Sequence, residues 1–353
     1  SSGPIEEARS PAEAFLALLA QFPAGDEVRP YIRFIDYAKA RQLFGVTLPA
    51  QDADAARILD YYAELSGKAS LGPLGAENTG RLVSRAAEWN DQVGFNFVNV
   101  DQFLALSSAD DPQGVPAIAL TGRFDQLKVE STLKLRPDVQ QSTYFGVDYF
   151  WSLDDSKRPS SRGAPPYAGP WRLVVSNDLV YWNYRTAAME AMIEASQGQQ
   201  RSLADLDDFQ ALAAAFDELG VYSAVVDARS DPGELQKRRE LVESQYGLAK
   251  AQAEGYLEPY TALAVGVGHD GVEPYALLVF VHSDLEAAMA NAAILRTKLE
   301  SGSSYYPGRP WWDVISDSEV LVEGTVVVAR LKTATLSLPF DIYNNLDSLI
   351  ITR

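Results

Sequence analysis

One arrangement of residues recurs three times along this chain, and it limits the folds that the chain can adopt. An apolar, strand-like stretch leads to a residue that can cap a helix, and an amphipathic helix follows, in residues 115–133, 173–195 and 260–300. In the second and third of these steps, turn residues at Asn177-Asp178 and His269-Asp270-Gly271 divide the strand stretch into a hairpin. The steps predict antiparallel sheets with helices packed on one face, which is the α+β class.

The first residue of each helix is predicted from the capping preferences of Asp, Thr and Ser. Asp125 precedes the helix of the first step and Thr186 that of the second, while Ser283 and Glu286 have the spacing of a capping box in the third. Gly302 is placed to end the third helix. We expect these residues to stabilise helix ends and to take no part in binding.

The N-terminal part of the chain is expected to open with a helix. Ser10 and Glu13 form a capping box, with Pro11 at the first helical position and apolar residues behind it. Alternation predicts a strand over residues 31–35, after which Asp36 can cap a helix. Further elements are predicted from periodicity: helices over residues 37–44 and near residues 52–65 and 78–91, and a strand over residues 94–100.

The length of 353 residues is about twice that of a typical single-core domain, which favours two domains. A helix is expected to end near Gly220, where a new apolar strand stretch begins. We predict an N-terminal α+β domain over residues 10–218 and a C-terminal α+β domain over residues 219–353, the two being related or loosely similar. Residues 154–170 and 230–255 are predicted to be surface insertions.

Composition excludes several classes of partner and site. With 48 acidic against 30 basic residues the net charge is -18, which repels the phosphates of nucleic acid. No apolar run approaches the ~20 residues that a membrane-spanning helix needs. Cysteine is absent, which excludes disulfides and thiolate metal sites. Residues 1–7 lack the pattern of a signal peptide, so we expect either a mature end behind a lipid anchor or a boundary chosen for expression.

The chain offers few residues for catalysis or metal binding. Of its two histidines, His269 lies in a predicted turn and His282 at a predicted strand end, with no second histidine at helical spacing. Ser283 follows His282, but adjacency does not make a catalytic dyad. Gly266 and Gly268 precede a hairpin turn and not a helix, which favours a turn over a nucleotide site. We predict no catalytic residue, no metal site and no cofactor.

Residues 303–313 combine large aromatic side chains with Pro and Gly residues that prevent regular structure, so we expect some rings to stay exposed. Tyr and Trp have a flat apolar face and a polar edge, which suits sugars and protein partners. The alternative is that the rings cover one end of a sheet. A second aromatic cluster, over residues 144–151, alternates like one half-buried strand. The candidate ligand-binding residues are Tyr305, Tyr306, Arg309, Trp311 and Trp312.

Three stretches resemble a family of exported bacterial lipoproteins that has no established activity. They are residues 119–125, where an apolar strand runs into Gly122-Arg123-Phe124-Asp125, residues 202–209, which begin Ser-Leu-Ala-Asp, and residues 257–268. The likeness extends from about Tyr31 to Arg330, although Arg123 stands where the family commonly has an acidic residue. It implies export and lipid anchoring, and it brings no established catalytic residues.

These observations lead to three hypotheses about function. The first is a non-catalytic extracytoplasmic binding or scaffold protein, membrane-anchored through a lipidated N-terminus, whose partner is a cell-envelope protein or glycan. The second is a carbohydrate-binding protein that uses residues 305–312. The third is an enzyme of unrecognised class, because acid and base groups can converge from distant positions.

Overall fold

The computed structural model describes most of the chain. The described residues are 9–25, 30–50, 53–71, 86–108, 117–153, 170–228, 236–237, 239–241, 243–244, 255–304, 309–345 and 347–352. They form two compact units. Unit 1 lies within residues 1–28 and 32–213, and unit 2 lies within residues 29–31 and 214–353. Among the described helices, none combines the length and the apolar character needed to cross a bilayer.

Unit 1 is built from helices and antiparallel strands. In chain order its described elements are α1 (Pro11–Leu19), β1 (Pro30–Asp36), α2 (Tyr37–Phe44), α3 (Ala55–Ala69), α4 (Ala86–Val93), β2 (Val100–Ser108), β3 (Ala117–Gly122), α5 (Gln126–Lys134), β4 (Val139–Tyr144), β5 (Val147–Ser152), β6 (Trp171–Val175), β7 (Leu179–Asn183), α6 (Thr186–Ser196) and α7 (Asp207–Glu218). The division between the units falls within β1 and within α7.

The strands of unit 1 lie in the order β1-β2-β3-β7-β6-β5-β4, so β4 is at the end of this series. Helix α1 packs against β2 and β3 through a buried apolar face. On that face Phe15 meets Phe34 edge-on with ring centroids 5.3 Å apart, and Phe209 lies 6.4 Å from Phe15. Aromatic contacts of this kind add about 0.5–1.5 kcal/mol each to the burial of the rings.

Three predicted caps of unit 1 are confirmed. Ser10 and Glu13 form the predicted capping box at the start of α1. The carboxylate of Asp36 accepts from the backbone N–H of Lys39 at 2.8 Å, and that of Asp125 accepts from the N–H of Lys128 at 3.0 Å. The Thr186 prediction is wrong, because the helix begins at Thr186 itself and its hydroxyl instead accepts from Nε of Arg172 at 3.1 Å.

The predicted strand over residues 94–100 is also wrong. Asn96 accepts from the N–H of Val98 and begins a 3-10 turn over Phe97–Asn99, so the strand starts only at Val100. Gly94 has φ +93, and a Cβ there would lie 2.8 Å from the Cα of Val129. A φ of +93 lies outside the range of extended strand backbone, so residue 94 is not part of a strand.

The aromatic cluster over residues 144–151 is not one strand. It forms the tip and second strand of the β4–β5 hairpin, with a two-residue turn at Phe145 and Gly146. Both turn residues have positive φ, 47° and 76°, as a type I′ turn requires. Glycine makes such a turn easy at the second position, whereas Phe145 at the first position gave no turn signal in the sequence.

Unit 2 has a second antiparallel arrangement of strands. A Cβ at Gly266 would lie 2.3 Å from the carbonyl oxygen of Ser223 on the paired strand, so this glycine permits close strand pairing. The described elements of unit 2 are β8 (Ser223–Asp227), β9 (Ala262–His269), β10 (Pro274–Val281), α8 (Leu285–Ser301), β11 (Ile315–Glu323), β12 (Val326–Thr333) and α9 (Leu338–Asn344). The strands lie in the order β11-β12-β10-β9-β8.

A short segment from early in the chain belongs to unit 2. The N–H of Ala228 donates to the carbonyl of Pro30 at 3.1 Å. Tyr31 stacks on Tyr343 with ring centroids 5.9 Å apart, and the Tyr343 hydroxyl donates to Asp227 at 2.6 Å. Unit 2 therefore includes residues that lie far from it in sequence.

The cap of α8 differs from the prediction by one residue. Asp284, and not Ser283, accepts from the N–H of Ala287 at 2.9 Å, while the Ser283 hydroxyl donates to Asp284 at 3.1 Å. The predicted box with Glu286 does not form, because the helix begins at Leu285.

The α+β class with antiparallel strand pairs is confirmed by the strand pairs that the structure describes. The chain divides at Ala213/Ala214, close to the predicted boundary after residue 218. Most of the predicted insertions, residues 154–170 and 230–255, lie outside the described residues, as does most of the predicted helix over residues 78–91.

We predict that Asp125→Ala and Asp284→Ala each lower the free energy of unfolding by about 1 kcal/mol, because each change leaves helix N–H groups without a side-chain acceptor. Ser283→Ala is the control and should change it by less than about 0.5 kcal/mol. Equilibrium unfolding in urea is the measurement. An equal loss for Ser283→Ala would show that the cap of α8 is misassigned.

Candidate functional site

The two ends of the segment singled out in the sequence, which we call the aromatic loop (residues 303–313), meet in unit 2. Ser303 and Pro310 face each other in an isolated antiparallel bridge, and the N–H of Ser304 donates to the carbonyl of Arg309 at 2.8 Å. The N–H of Trp311 donates to the carbonyl of Gly302 at 3.2 Å. The loop therefore has a hydrogen-bonded neck, and residues 305–308 beyond it lie outside the described residues.

Trp311 anchors the loop in the core of unit 2. The side chain is fully buried, and its indole N–H donates to the hydroxyl of Ser348 at 3.1 Å. That hydroxyl in turn donates to the carbonyl of Ser303 at 3.1 Å. One buried serine thus links the two sides of the neck, and neither polar atom is left without a partner.

Two buried charged side chains reinforce this anchor. The ammonium group of Lys298, on α8, donates to the carbonyl of Ser348. A carboxylate oxygen of Asp347 accepts from the hydroxyl of Ser304, and the other accepts from the N–H of Ser348 at 2.6 Å. Buried polar networks with their partners in place hold one geometry, because any other arrangement leaves a group desolvated and unpaired.

Three other described side chains of the aromatic loop, those of Arg309, Trp312 and Asp313, face solvent. Trp312 is 58% exposed although it directly follows the fully buried Trp311. Arg309 lies 4.0 Å from Asp313, and both side chains are exposed, so this ion pair contributes little to stability. Trp and Arg are the residue types most enriched among the energetically dominant positions of interfaces.

The five predicted ligand-binding residues fall into three groups, at the surface, in the core and outside the described residues. Arg309 and Trp312 are presented at the surface, while Trp311 belongs to the core and has no exposed face to offer a ligand. This corrects the prediction for Trp311, whose indole N–H is satisfied internally. Tyr305 and Tyr306 lie outside the described residues.

The anchoring residues Lys298, Asp347 and Ser348 were not identified from the sequence. The buried stripe of α8 contains Ala292, Leu295 and Leu299, and Lys298 lies on the same stripe. A lysine on an apolar stripe needs an internal partner, and that is the signal that was available. The partner itself lies 50 residues further along the chain, where the sequence gives no indication of contact.

The adjacent His282 and Ser283 do not form a catalytic pair. Nδ1 of His282 lies 3.0 Å from the carbonyl oxygen of Thr325, and Nε2 lies 2.7 Å from the side-chain nitrogen of Asn291. The ring is therefore neutral, donating to Thr325 and accepting from Asn291, and burial lowers the pKa of His282. Both ring nitrogens are engaged away from the Ser283 hydroxyl, which bonds to Asp284.

The carboxyl group of Asp36 is buried and has a raised pKa, and acids with a perturbed pKa are often functional. Burial raises the pKa of Asp36 from 3.8 to about 6, against the lowering effect of the Lys39 N–H. Its carboxylate accepts from Gln102 at 3.4 Å, and Gln102 accepts from the hydroxyl of Thr121. All three side chains are buried, so this chain of hydrogen bonds belongs to the interior of unit 1.

Comparisons with known proteins find no match by sequence and only distant likenesses among solved structures. No family model matches the chain, and no curated protein matches it. Crystal form III of a protein named TP0453 is similar, with a TM-score of 0.41 and 10% identity over 93% of this chain and 98% of that chain. Crystal form I gives a TM-score of 0.40 with 10% identity, covering 94% and 97%, and crystal form IV gives 0.41 with 9%, covering 92% and 96%. These likenesses carry no argument about function.

We predict that Trp311→Ala lowers the free energy of unfolding by about 3–5 kcal/mol, because it deletes a fully buried ring. Trp312→Ala should change it by less than about 0.5 kcal/mol, because the ring is mostly in water. Chemical unfolding of both variants is the measurement. Similar losses for the two changes would contradict the division of the loop into a buried anchor and an exposed ring.

We predict that Asp36→Asn removes a pH dependence of stability. The pKa of Asp36 is raised on folding, so the native state binds its proton more tightly, and stability is lost as pH rises from about 4 to about 6. Asparagine keeps a capping oxygen for Lys39 and stays neutral, so at pH 7 to 8 the variant should be more stable by up to about 3 kcal/mol. Unfolding at several pH values tests this, and a variant with the wild-type pH profile would refute it.

Proposed function

We propose that this protein is a non-catalytic binding module and that the aromatic loop is its binding surface. The observation that carries the proposal is the contrast between Trp311 and Trp312, neighbours in sequence, of which one is locked in the core and the other is 58% exposed. A loop that needed its aromatic residues only for stability would gain most by burying both rings. An exposed Trp312 on a loop whose neck is anchored in the core has a use when a partner covers its ring.

The hydrogen-bonded neck of the loop favours binding in a second way. Ordering a loop on binding costs conformational entropy, and a loop whose neck is already bonded at Ser304–Arg309 and at Trp311–Gly302 has less to lose. Trp also has few rotatable bonds for its contact area. The arrangement therefore supports recognition by a preformed surface.

The second part of the proposal is an extracytoplasmic location with a lipid anchor at the N-terminus. Its support is the resemblance of residues 119–125, 202–209 and 257–268 to exported lipoproteins. In such a location the partner is a component of the cell envelope. The net charge of -18 disfavours strongly anionic partners, which favours a neutral glycan or a protein with a basic surface.

A glycan is the partner class that Trp312 favours, and this is the second candidate, a carbohydrate-binding protein. The face of an indole packs against the C–H groups of a sugar ring, and its edge and a neighbouring guanidinium can donate hydrogen bonds to sugar hydroxyls. Arg309 supplies such a donor within the same loop, with its side chain 58% exposed. A protein partner would use the same two residues as an apolar and charged contact.

We predict that the protein cosediments with insoluble cell-wall glycan and that Trp312→Ala weakens this binding by about tenfold or more, because a central aromatic contact is lost. Arg309→Ala should weaken it less. Met289→Ala is a matched control, since Met289 is an exposed large apolar residue of the same unit outside the loop. The measurement is the bound fraction as a function of glycan concentration.

The outcomes separate the hypotheses. Binding that is unchanged by Trp312→Ala and Arg309→Ala would remove the aromatic loop from the proposal. Binding of purified envelope proteins but of no glycan, with the same sensitivity to Trp312, would favour the binding or scaffold function over the carbohydrate function. Release of soluble glycan fragments by the wild-type protein would contradict a non-catalytic role and favour the enzyme hypothesis.

A further inference from the structure

Strands β4 and β11 lie at the two ends of the described strand order. They differ in the features that prevent a further strand from pairing with them. Strand β11 has a register irregularity between Ile315 and Asp317, and it carries the acidic residues Asp317, Glu319 and Glu323. Bulges and charges of this kind discourage the addition of another strand. Strand β4, Val-Gln-Gln-Ser-Thr-Tyr, has neither a charged residue nor a proline, and its register with β5 is unbroken.

The hairpin geometry shows which backbone groups of β4 point away from β5. Tyr144 and Val147 flank a two-residue turn, so their backbones form a hydrogen-bonded pair. Hydrogen-bonded and non-hydrogen-bonded pairs alternate along an antiparallel hairpin. Ser142 and Gln140 therefore also bond to β5. The N–H and C=O groups of Gln141 and Thr143 face outward, and no described strand other than β5 pairs with β4.

Exposed apolar side chains lie at both ends of this hairpin. Phe145, at the turn, is 60% exposed, and at the other end Leu135 is 85% exposed and Leu153 is 42% exposed. The ends are separated by the six residues of β4, about 20 Å in an extended strand. The outward edge of β4 thus joins two apolar ends.

Phe145 occupies a position that suits a different residue. Its φ of 47° lies in the left-handed region, where Asn or Gly is favoured at this position of a type I′ turn. The ring gains little from burial within the described part of unit 1, and its contact is an edge-on packing against Tyr144 at 4.9 Å. A residue that is both strained and exposed is explained when its ring is covered by something else.

We propose that β4 pairs with β4 of a second copy of this chain, in an antiparallel arrangement about a two-fold axis at Ser142. Gln141 of each copy then pairs with Thr143 of the other, which gives about four backbone hydrogen bonds. The same register brings Phe145 of each copy to the base of the other hairpin, where Leu135 and Leu153 are exposed. The two apolar ends are complementary because the arrangement is antiparallel and symmetric.

The charges near β4 fit this contact. Asp148 accepts from Gln141 at 2.8 Å and also from the hydroxyl of Thr143, and Asp138 forms a close ion pair with Arg136 at 2.6 Å. Two copies that each carry a charge of -18 repel one another overall, so an uncharged strand is a favourable place for them to meet. Screening of the remaining repulsion by salt should strengthen the dimer.

Sedimentation equilibrium of the full chain, from low micromolar to about 1 mM, tests the proposal. We expect a species of twice 38.6 kDa whose population rises with concentration and with added NaCl. Thr143→Pro removes an outward N–H that pairs with no described strand of the same copy. The two-fold symmetry removes this donor from both copies, so the change should raise the dissociation constant by about tenfold or more. Thr143→Ala, the matched control, keeps the N–H and should retain the dimer.

Phe145→Asn provides a variant that is not expected to unfold. It creates Asn-Gly at the turn, so the melting temperature of the monomer should rise while the dimer weakens. A wild-type chain that stays monomeric over the whole range would overturn the proposal. So would a dimer that both Thr143→Pro and Phe145→Asn leave intact, since it must use another surface.

Discussion

A polar group that leaves water must find a partner inside the protein, and this requirement determines the geometry of the aromatic loop. Lys298 and Asp347 are both almost fully buried, and each is bonded to Ser348. The hydroxyl of Ser348 bonds in turn to Trp311 and to Ser303, so these two residues are held in place as well. The loop is therefore attached to α8 and to the C-terminal segment by groups that cannot relax without exposing an unpaired charge.

In unit 1 buried polar groups are also paired with one another, but there the consequence concerns protonation. There the buried chain from Asp36 through Gln102 to Thr121 connects β1, β2 and β3. Burial makes ionisation of Asp36 costly, whereas in unit 2 the buried groups are matched in charge around Ser348. One network makes stability depend on protonation, and the other fixes a surface loop.

The sequence predicted the α+β class and most strand and helix positions because these depend on local periodicity and capping residues such as Asp125. It failed where a residue had two competing partners. Thr186 is bonded by Arg172 and does not cap its helix, and Asp284 took the role expected of Ser283. In the aromatic loop composition indicated the segment, but which of two adjacent tryptophans is buried depends on contacts more than 30 residues away, such as Trp311 with Ser348.

The early segment around Pro30 and Tyr31 has a consequence for how the protein can be divided. Unit 2 uses the carbonyl of Pro30 for the N–H of Ala228, and it uses the ring of Tyr31 against Tyr343. A fragment that starts at Ala214 lacks both groups, so residues 214–353 alone do not contain a complete unit 2. The groups that complete these two contacts lie in a short stretch of the chain more than 180 residues before Ala214, so a boundary drawn at one point in the sequence cannot separate the two units.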